Sequence, residues 1–139
     1  MLSKRAKYAL KTLLFLNENT NDLPISAKKI SETQQIPYKF LEQILGELKQ
    51  NEILKSERGA EGGYSFQKQP QEIKIVEVLR IIDGPIAMVP CASVNFYKKC
   101  DDCHDEVSCH IRKLFISVRE SALPILNKSI AELENTEEF

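Results

Sequence analysis

Between residues 4 and 17 the apolar positions Ala6, Ala9, Leu10, Leu13, Leu14 and Leu16 return every three or four residues, which predicts an amphipathic helix. Asn17 and the polar run NTND then end it. In the stretch PISAKKISETQQIPYKFLEQILGELKQNEIL, Ser26 is placed to cap a short helix reaching about Thr33, with Ala27 and Ile30 turned inward. The residues QQIP follow, and Pro37 sits where a first-turn proline is tolerated. Phe40, Leu41, Ile44, Leu45 and Leu48 then form a helical stripe. Two helices joined by so short a turn predict a helix-turn-helix. Strand-like pieces at 53–56 and 64–67 flank Gly59, Gly62 and Gly63, and glycines at that place permit a hairpin tip. A hairpin directly after a helix-turn-helix predicts a winged helix.

Beyond the hairpin, Ile75, Val78, Leu79 and Ile82 mark one face of a further helix, stopped by Gly84-Pro85. From Ile111 onward, Ile111, Leu114, Phe115, Val118, Ala122, Ile125 and Leu126 keep a four-three rhythm. That rhythm suits a helix pairing with a copy of itself, and equally a helix packed on its own domain. Pro124 should kink or end this helix nearby. Ser129 and Glu132 have the spacing of a capping box for a last short helix. The expected class is mainly α with a small β-hairpin wing, a winged helix-turn-helix, plus a C-terminal dimerisation helix. The expected division is residues 1–85 for DNA binding, 86–110 for a cysteine-rich loop, and 111–139 for dimerisation and a short terminal helix.

Composition narrows the class. Of 139 residues, 42% are apolar and 28% charged, so the chain is neither disordered nor built to span a membrane. No apolar run approaches the ~20 residues that a spanning helix needs. Lys4, Arg5 and Lys7 before YALKTLLFL faintly mimic a signal peptide, but Lys11 interrupts the apolar part and no small-residue cleavage site follows. A cytoplasmic location is expected, with no membrane partner. Residues 1–69 hold 11 Lys/Arg against 8 Asp/Glu, and residues 70–139 hold 8 against 12. The basic half is therefore where a polyanion would bind. Tyr38, Lys39, Glu42 and Gln43 lie on the polar face of the second helix, and Lys55, Ser56 and Arg58 lie at the hairpin. These side chains can reach base edges and phosphates, though a merely solvated helix face would look similar. No phosphate loop, Ser–His–Asp arrangement or HExxH run is present, so neither an enzyme nor a small-molecule substrate is expected.

All four cysteines fall in PCASVNFYKKCDDCHDEVSCHIR, spaced Cys91-x8-Cys100-x2-Cys103-x5-Cys109. Where thiols stay reduced, such a cluster favours metal binding or redox sensing over structural disulfides. Four thiolates this close can surround a tetrahedral zinc or an iron–sulfur cluster, and metal-free redox thiols remain open. His104 and His110 are reserve ligands. Asp101, Asp102, Asp105 and Glu106 crowd the thiols and oppose a free thiolate, while a bound cation would favour one.

The stretches SKRAKYALKTLLFL, ISAKKISETQQIPYKFLEQILGELKQNEILKSERGAEGGY and EIKIVEVLRIIDGPIA resemble the winged-helix transcription regulators typified by IscR, NsrR and CymR. The ERGAEGGY wing and the FLEQIL helix are the most specific, and KSIAELEN resembles the family's terminal helix. The resemblance implies a homodimer on a near-palindromic double-stranded operator, often as a repressor. It places Lys4, Arg5, Tyr8 and Lys28 near the DNA backbone, Tyr38, Lys39 and Gln43 on the bases, and Ser56, Arg58, Gly59 and Tyr64 on the wing. It also implies that Ile111, Leu114, Phe115, Val118, Ala122 and Ile125 pair two copies.

For the loop, the resemblance implies an iron–sulfur cluster, [2Fe-2S] or [4Fe-4S], that reports iron–sulfur, redox or nitric oxide status. Zinc, a thiol switch, or control by a protein partner as in CymR-like members are the alternatives. Cys103 and Cys109 keep the family's five-residue gap, but eleven residues separate Cys91 from Cys103, and Cys100 is extra. Arg112 stands where IscR-like proteins carry a histidine ligand. Lys7-Tyr8-Ala9 stands where NsrR-like proteins carry an acidic one. The expected ligand set is therefore Cys91, Cys100, Cys103 and Cys109.

Overall fold

A computed structural model describes residues 2–135. Helix α1 spans Lys4–Glu18 and starts where Ala6 N–H donates to the Ser3 hydroxyl at 3.0 Å. Ala6, Ala9, Leu13 and Leu16 are fully buried, and the two alanines allow close approach of the helices around α1. It ends at Asn19, whose side chain donates to Phe15 O at 2.8 Å. Helix α2, Ala27–Gln34, is capped by Ser26, which accepts from Lys29 N–H. Its C-terminal end is closed from α1 and by its own backbone. Lys11 Nζ donates to Gln34 O at 2.6 Å, and Gln35 adopts a left-handed conformation that stops the helix.

Helix α3 spans Tyr38–Gln50. Pro37 is its N-cap, one place ahead of the first-turn position expected from sequence. Leu41, Ile44, Leu45 and Leu48 are completely buried. Phe40 corrects the expected stripe, being 48% exposed. At 100° per residue it lies roughly 90° from the centre of the buried face, on the flank.

The hairpin pairs β1, Leu54–Glu57, with β2, Gly63–Phe66, antiparallel in the register Leu54↔Phe66 and Ser56↔Tyr64. A bridge between Ile25 and Tyr64 ties this wing back to the entry of α2. Helix α4, Ile75–Asp83, buries Ile75, Val76, Val78, Leu79 and Ile82 and stops at Gly84, whose φ of 84° few other residues adopt.

Residues 84–109 run as loop and turns, with one 3₁₀ turn at Pro90–Ala92. Helix α5 follows, His110–Leu126, with Pro124 two residues before its end. Helix α6, Ile130–Glu134, carries the expected capping box of Ser129 and Glu132. Its Ile130 is fully buried in the core formed by α1 to α4. Ile130 N–H donates to Ile73 O at 2.8 Å, and Ile75 N–H donates to Lys128 O at 3.0 Å. The loop and α5 therefore lie between α4 and the buried Ile130, with Ile86 and Leu126 packed against the core at either end of that stretch.

Candidate nucleic-acid interface and cysteine loop

Burial of one face of α3 leaves Tyr38, Lys39, Glu42, Gln43 and Gly46 on the other, all exposed. This set advances by one and three residues alternately and so forms one longitudinal face. Tyr38 donates to Glu42, and the carboxylate, followed by partial burial, raises the phenol above its ordinary value. Tyr38 is thus a neutral donor at physiological pH. Tyr64 of β2 adds a smaller electrostatic contribution in the same direction. Near the C-terminal end of α3, Lys49 Nζ donates to the Ser56 hydroxyl at 2.7 Å, which ties the helix to β1.

The remaining residues expected at DNA are placed unevenly. Lys4, Lys28, Arg58 and Gly59 are exposed, and Gly59 has φ 115° at the hairpin tip. Tyr8 and Tyr64 are half-buried with their rings against the core. The Arg5 guanidinium pairs with Glu47 of α3 and is only about one-third exposed. A phosphate would have to compete with that carboxylate for it.

The wing signature has a steric cause. A Cβ on Gly63 would come within 2.3 Å of the Ile25 backbone, and one on Gly62 within 2.3 Å of Glu57 O. Both distances lie far inside van der Waals contact, so only glycine lets the hairpin fold this tightly and dock on α2.

The four cysteines are brought to one cavity by short-range hydrogen bonds. Cys91 lies in the 3₁₀ turn and is buried. Ser93 accepts from Phe96 N–H at 3.0 Å and Lys98 N–H donates back to Pro90 O at 3.4 Å, which closes the eight-residue gap. The Cys100 thiol then donates to Cys91 Sγ at 3.8 Å. Cys103 N–H donates to Cys100 O, a turn that folds Cys103 back. Asp105 accepts from Val107 N–H and Ser108 N–H, and its hydrogen bond to Ser108, then that to Val107, holds the carboxyl below its ordinary value. That turn leads to Cys109, the N-cap of α5, whose sulfur accepts from Arg112 N–H at 3.4 Å.

All four thiols line a cavity of about 420 Å³ together with Asp102, His104, Asp105 and Arg112. A water occupies ~30 Å³ of liquid, so the cavity accommodates a bulkier group. The thiols are free. The hydrogen bond to Cys91, then burial and Asp102 nearby, raise the Cys100 thiol above its ordinary value. Among the described residues no three His, Cys, Asp or Glu side chains converge closely enough to hold a metal ion. The donor set of four soft sulfurs around one cavity fits a thiolate-bound metal or cluster, with closure of the loop as the step that would bring them together.

Two residues escaped sequence reasoning in their actual role. Arg112 Nε donates to Cys91 O at 3.0 Å, and Arg119, two turns further along α5, donates to Ala92 O. The seven-residue spacing of two arginines was visible, but their acceptors are main-chain carbonyls, which leave no trace in side-chain pattern.

Helix α5 buries none of its residues. Ile111, Leu114, Val118 and Ile125 are 65%, 57%, 42% and 48% exposed and lie along one line of the helix. Phe115 and Ala122 are half-buried on its flank. No helix is long and apolar enough to cross a membrane among the described residues.

A family model described as Rrf2, iron-dependent transcriptional regulator, matches residues 2–135. A putative HTH-type regulator, rrf2-like, from Rhodobacter capsulatus is 43% identical over 95% of this chain and 90% of its own length. The regulator IscR of Klebsiella pneumoniae is 28% identical over 99% of this chain and 82% of its own. Among solved structures, CymR of B. subtilis, described as its global cysteine regulator, superposes with a TM-score of 0.80 at 26% identity, covering 99% of this chain and 98% of that one.

Proposed function

This chain belongs to the Rrf2 family of transcriptional regulators, of the CymR and IscR type and not an enzyme, and on that premise we propose how it binds DNA and what it senses. It acts as a homodimer on a near-palindromic operator, as a repressor, and reports iron–sulfur, redox or nitric oxide status through its cysteine loop. The observation that carries the DNA reading is the exposed polar face of α3 with the wing tied beside it. In this reading Tyr38, Lys39 and Gln43 address base edges in the major groove. Gln43 suits adenine and Lys39 suits guanine. Ser56, Arg58, Gly59 and Tyr64 place the wing in the adjacent minor groove, and Lys4, Arg5, Tyr8 and Lys28 follow the backbone.

The exposed line of Ile111, Leu114, Val118 and Ile125 supports pairing of two α5 helices, with Phe115 and Ala122 at the margin. Such pairing sets two recognition helices at a half-site spacing of roughly 34 Å. Cys91, Cys100, Cys103 and Cys109 hold an iron–sulfur cluster in the loop that feeds α5. The shared cavity supports this, as do the family's iron-dependent description and the IscR likeness. When bound, such a group supplies a redox- and iron-responsive charge whose gain or loss changes loop closure. Arg112 and Arg119 hold the Cys91–Ala92 turn to α5, so a change of loop shape reaches the dimer helix. A second reading, a thiol switch without metal, is favoured by the 3.8 Å approach of Cys91 and Cys100. Zinc at the same sulfurs is the remaining alternative.

The test is anaerobic purification with iron, sulfide and zinc assays and visible absorption, on the wild type and four Cys→Ala variants. A coloured protein carrying iron and sulfide, bleached by each substitution, is expected. A colourless iron-free protein overturns the cluster, and stoichiometric zinc replaces it. For DNA, operator affinity should fall steeply with salt, and Lys39→Ala should reduce the logarithmic salt slope by about one if it neutralises a phosphate, or relax sequence preference if it reads a base. Binding that ignores salt overturns the operator reading.

A further inference from the structure

Cys91 and Cys100 are more than two of four donors around a cavity. Their sulfurs lie 3.8 Å apart with the Cys100 thiol directed at its neighbour, whereas a disulfide needs ~2.05 Å. The two residues differ in how they are held. Cys91 is 6% exposed, sits in a closed turn, and has its carbonyl bound by Arg112, with the next carbonyl bound by Arg119. Cys100 is half-buried on the cavity wall, at the end of a stretch stabilised only by loop hydrogen bonds. The remaining approach therefore falls to Cys100, by side-chain rotation and a small loop adjustment. Cys109 is engaged elsewhere, its sulfur accepting the Arg112 N–H.

We propose that Cys91 and Cys100 form an intramolecular disulfide when a hydroperoxide enters the cysteine cavity. Cys100, the more accessible sulfur, attacks the terminal peroxide oxygen as its thiolate, a form that the hydrogen bond to Cys91 keeps scarce, so the step is slow. The O–O bond breaks, the leaving oxygen departs as water or an alcohol with the thiol proton, and Cys100 is left as a sulfenic acid. The Cys91 sulfur then attacks Cys100, the S–S bond forms, and the S–O bond breaks. Hydroxide leaves and takes the Cys91 proton as water. Two thiols are oxidised by two electrons, and one hydroperoxide is reduced.

The bond removes Cys91 and Cys100 from the four-sulfur set. Cys103 and Cys109 remain, too few for a closed thiolate site. For this consequence alone the inference rests on the metal reading above; the disulfide itself does not need it. The same pair thus serves as ligands in one state and as a peroxide-formed lock against metal in the other.

The test treats the reduced, metal-depleted full chain with hydrogen peroxide, alkylates residual thiols, and maps peptides by mass spectrometry without reduction. A Cys91–Cys100 crosslink is expected, with Cys103 and Cys109 still alkylated and the crosslink removed by dithiothreitol. It should vanish in Cys91→Ser and Cys100→Ser and persist in Cys103→Ser. A bond between any other pair, crosslinks only between chains, or sulfinic acid at Cys100 with no crosslink overturns the proposal. In a second arm, the oxidised chain is offered ferrous iron with sulfide, or zinc. Uptake should drop by more than about tenfold, since even outer-shell changes cost that much, and should recover on reduction. Equal uptake by the oxidised and reduced chains overturns the lock. A reduced chain that takes up neither metal overturns the metal reading and leaves the crosslink to be judged on the peptide map alone.

Discussion

At Gly63 one added methyl group would meet the carbonyl carbon and oxygen of Ile25 at 2.3 Å. The site also has a φ of 153°, which L-residues rarely adopt. Gly63→Ala is therefore expected to lower the denaturant midpoint by an amount equivalent to at least ~1–3 kcal/mol, and to weaken operator binding through a displaced wing. An unchanged midpoint would show that the wing does not depend on this contact. The glycines were legible as a turn signal, but the reason for Gly63 is a neighbour 38 positions earlier in the chain. Phe40 marks the opposite limit. Its apolar character placed it on the buried stripe, yet the helix presents it at the flank. Hydrophobic pattern assigns a face, and only packing decides where that face ends.

The elements divide into those packed on partners within the chain and one, α5, whose line of Ile111, Leu114, Val118 and Ile125 stays exposed among the described residues. Helix α6 belongs to the first group, and its cap is electrostatic as well as geometric. The backbone N–H of Ser129 donates to Glu132 at 2.7 Å and, with the Ser129 side chain, lowers the Glu132 carboxyl from its ordinary value of 4.5. A depressed carboxylate contributes stability that is fully present above the unfolded value and is lost as pH falls through the folded one. Glu132→Ala should thus reduce the melting temperature at neutral pH, and the gap from wild type should close on acidification below 4.5. A gap constant with pH would assign the effect to helix propensity instead. Helix α5 is the element with the open line. Leu114→Glu with Val118→Glu is expected to give a monomer by sedimentation velocity, with thermal unfolding of the α1–α4 core little changed, since both side chains are exposed. Operator affinity should then fall by ~10²-fold or more, because two half-sites would no longer be held together. A dimer that survives both charges would place the interface elsewhere.

At the scale of the whole molecule, the loop and α5 lie between Gly84 and Ile130, and two arginines of α5 bind the Cys91–Ala92 turn of that loop. Removing Arg119 while keeping every cysteine should shrink the difference in operator affinity between metal-loaded and metal-stripped protein, a coupling typically worth ~1–3 kcal/mol. Titrating both forms of Arg119→Ala against labelled operator measures it, and an undiminished difference would mean that the loop signals by another route. The sequence by itself determined the order of the helices, the hairpin, the capping box at Ser129 and the concentration of thiols. Each of these is written in local spacing, because helical period, cap chemistry and turn preference act over a few residues. Only the tertiary structure decided that Gly63 must clear Ile25, that Glu47 occupies Arg5, that Cys100 falls beside Cys91, and that Arg112 binds a carbonyl. These depend on backbone groups and on residues far apart in the chain, which meet only after the apolar faces have chosen their partners.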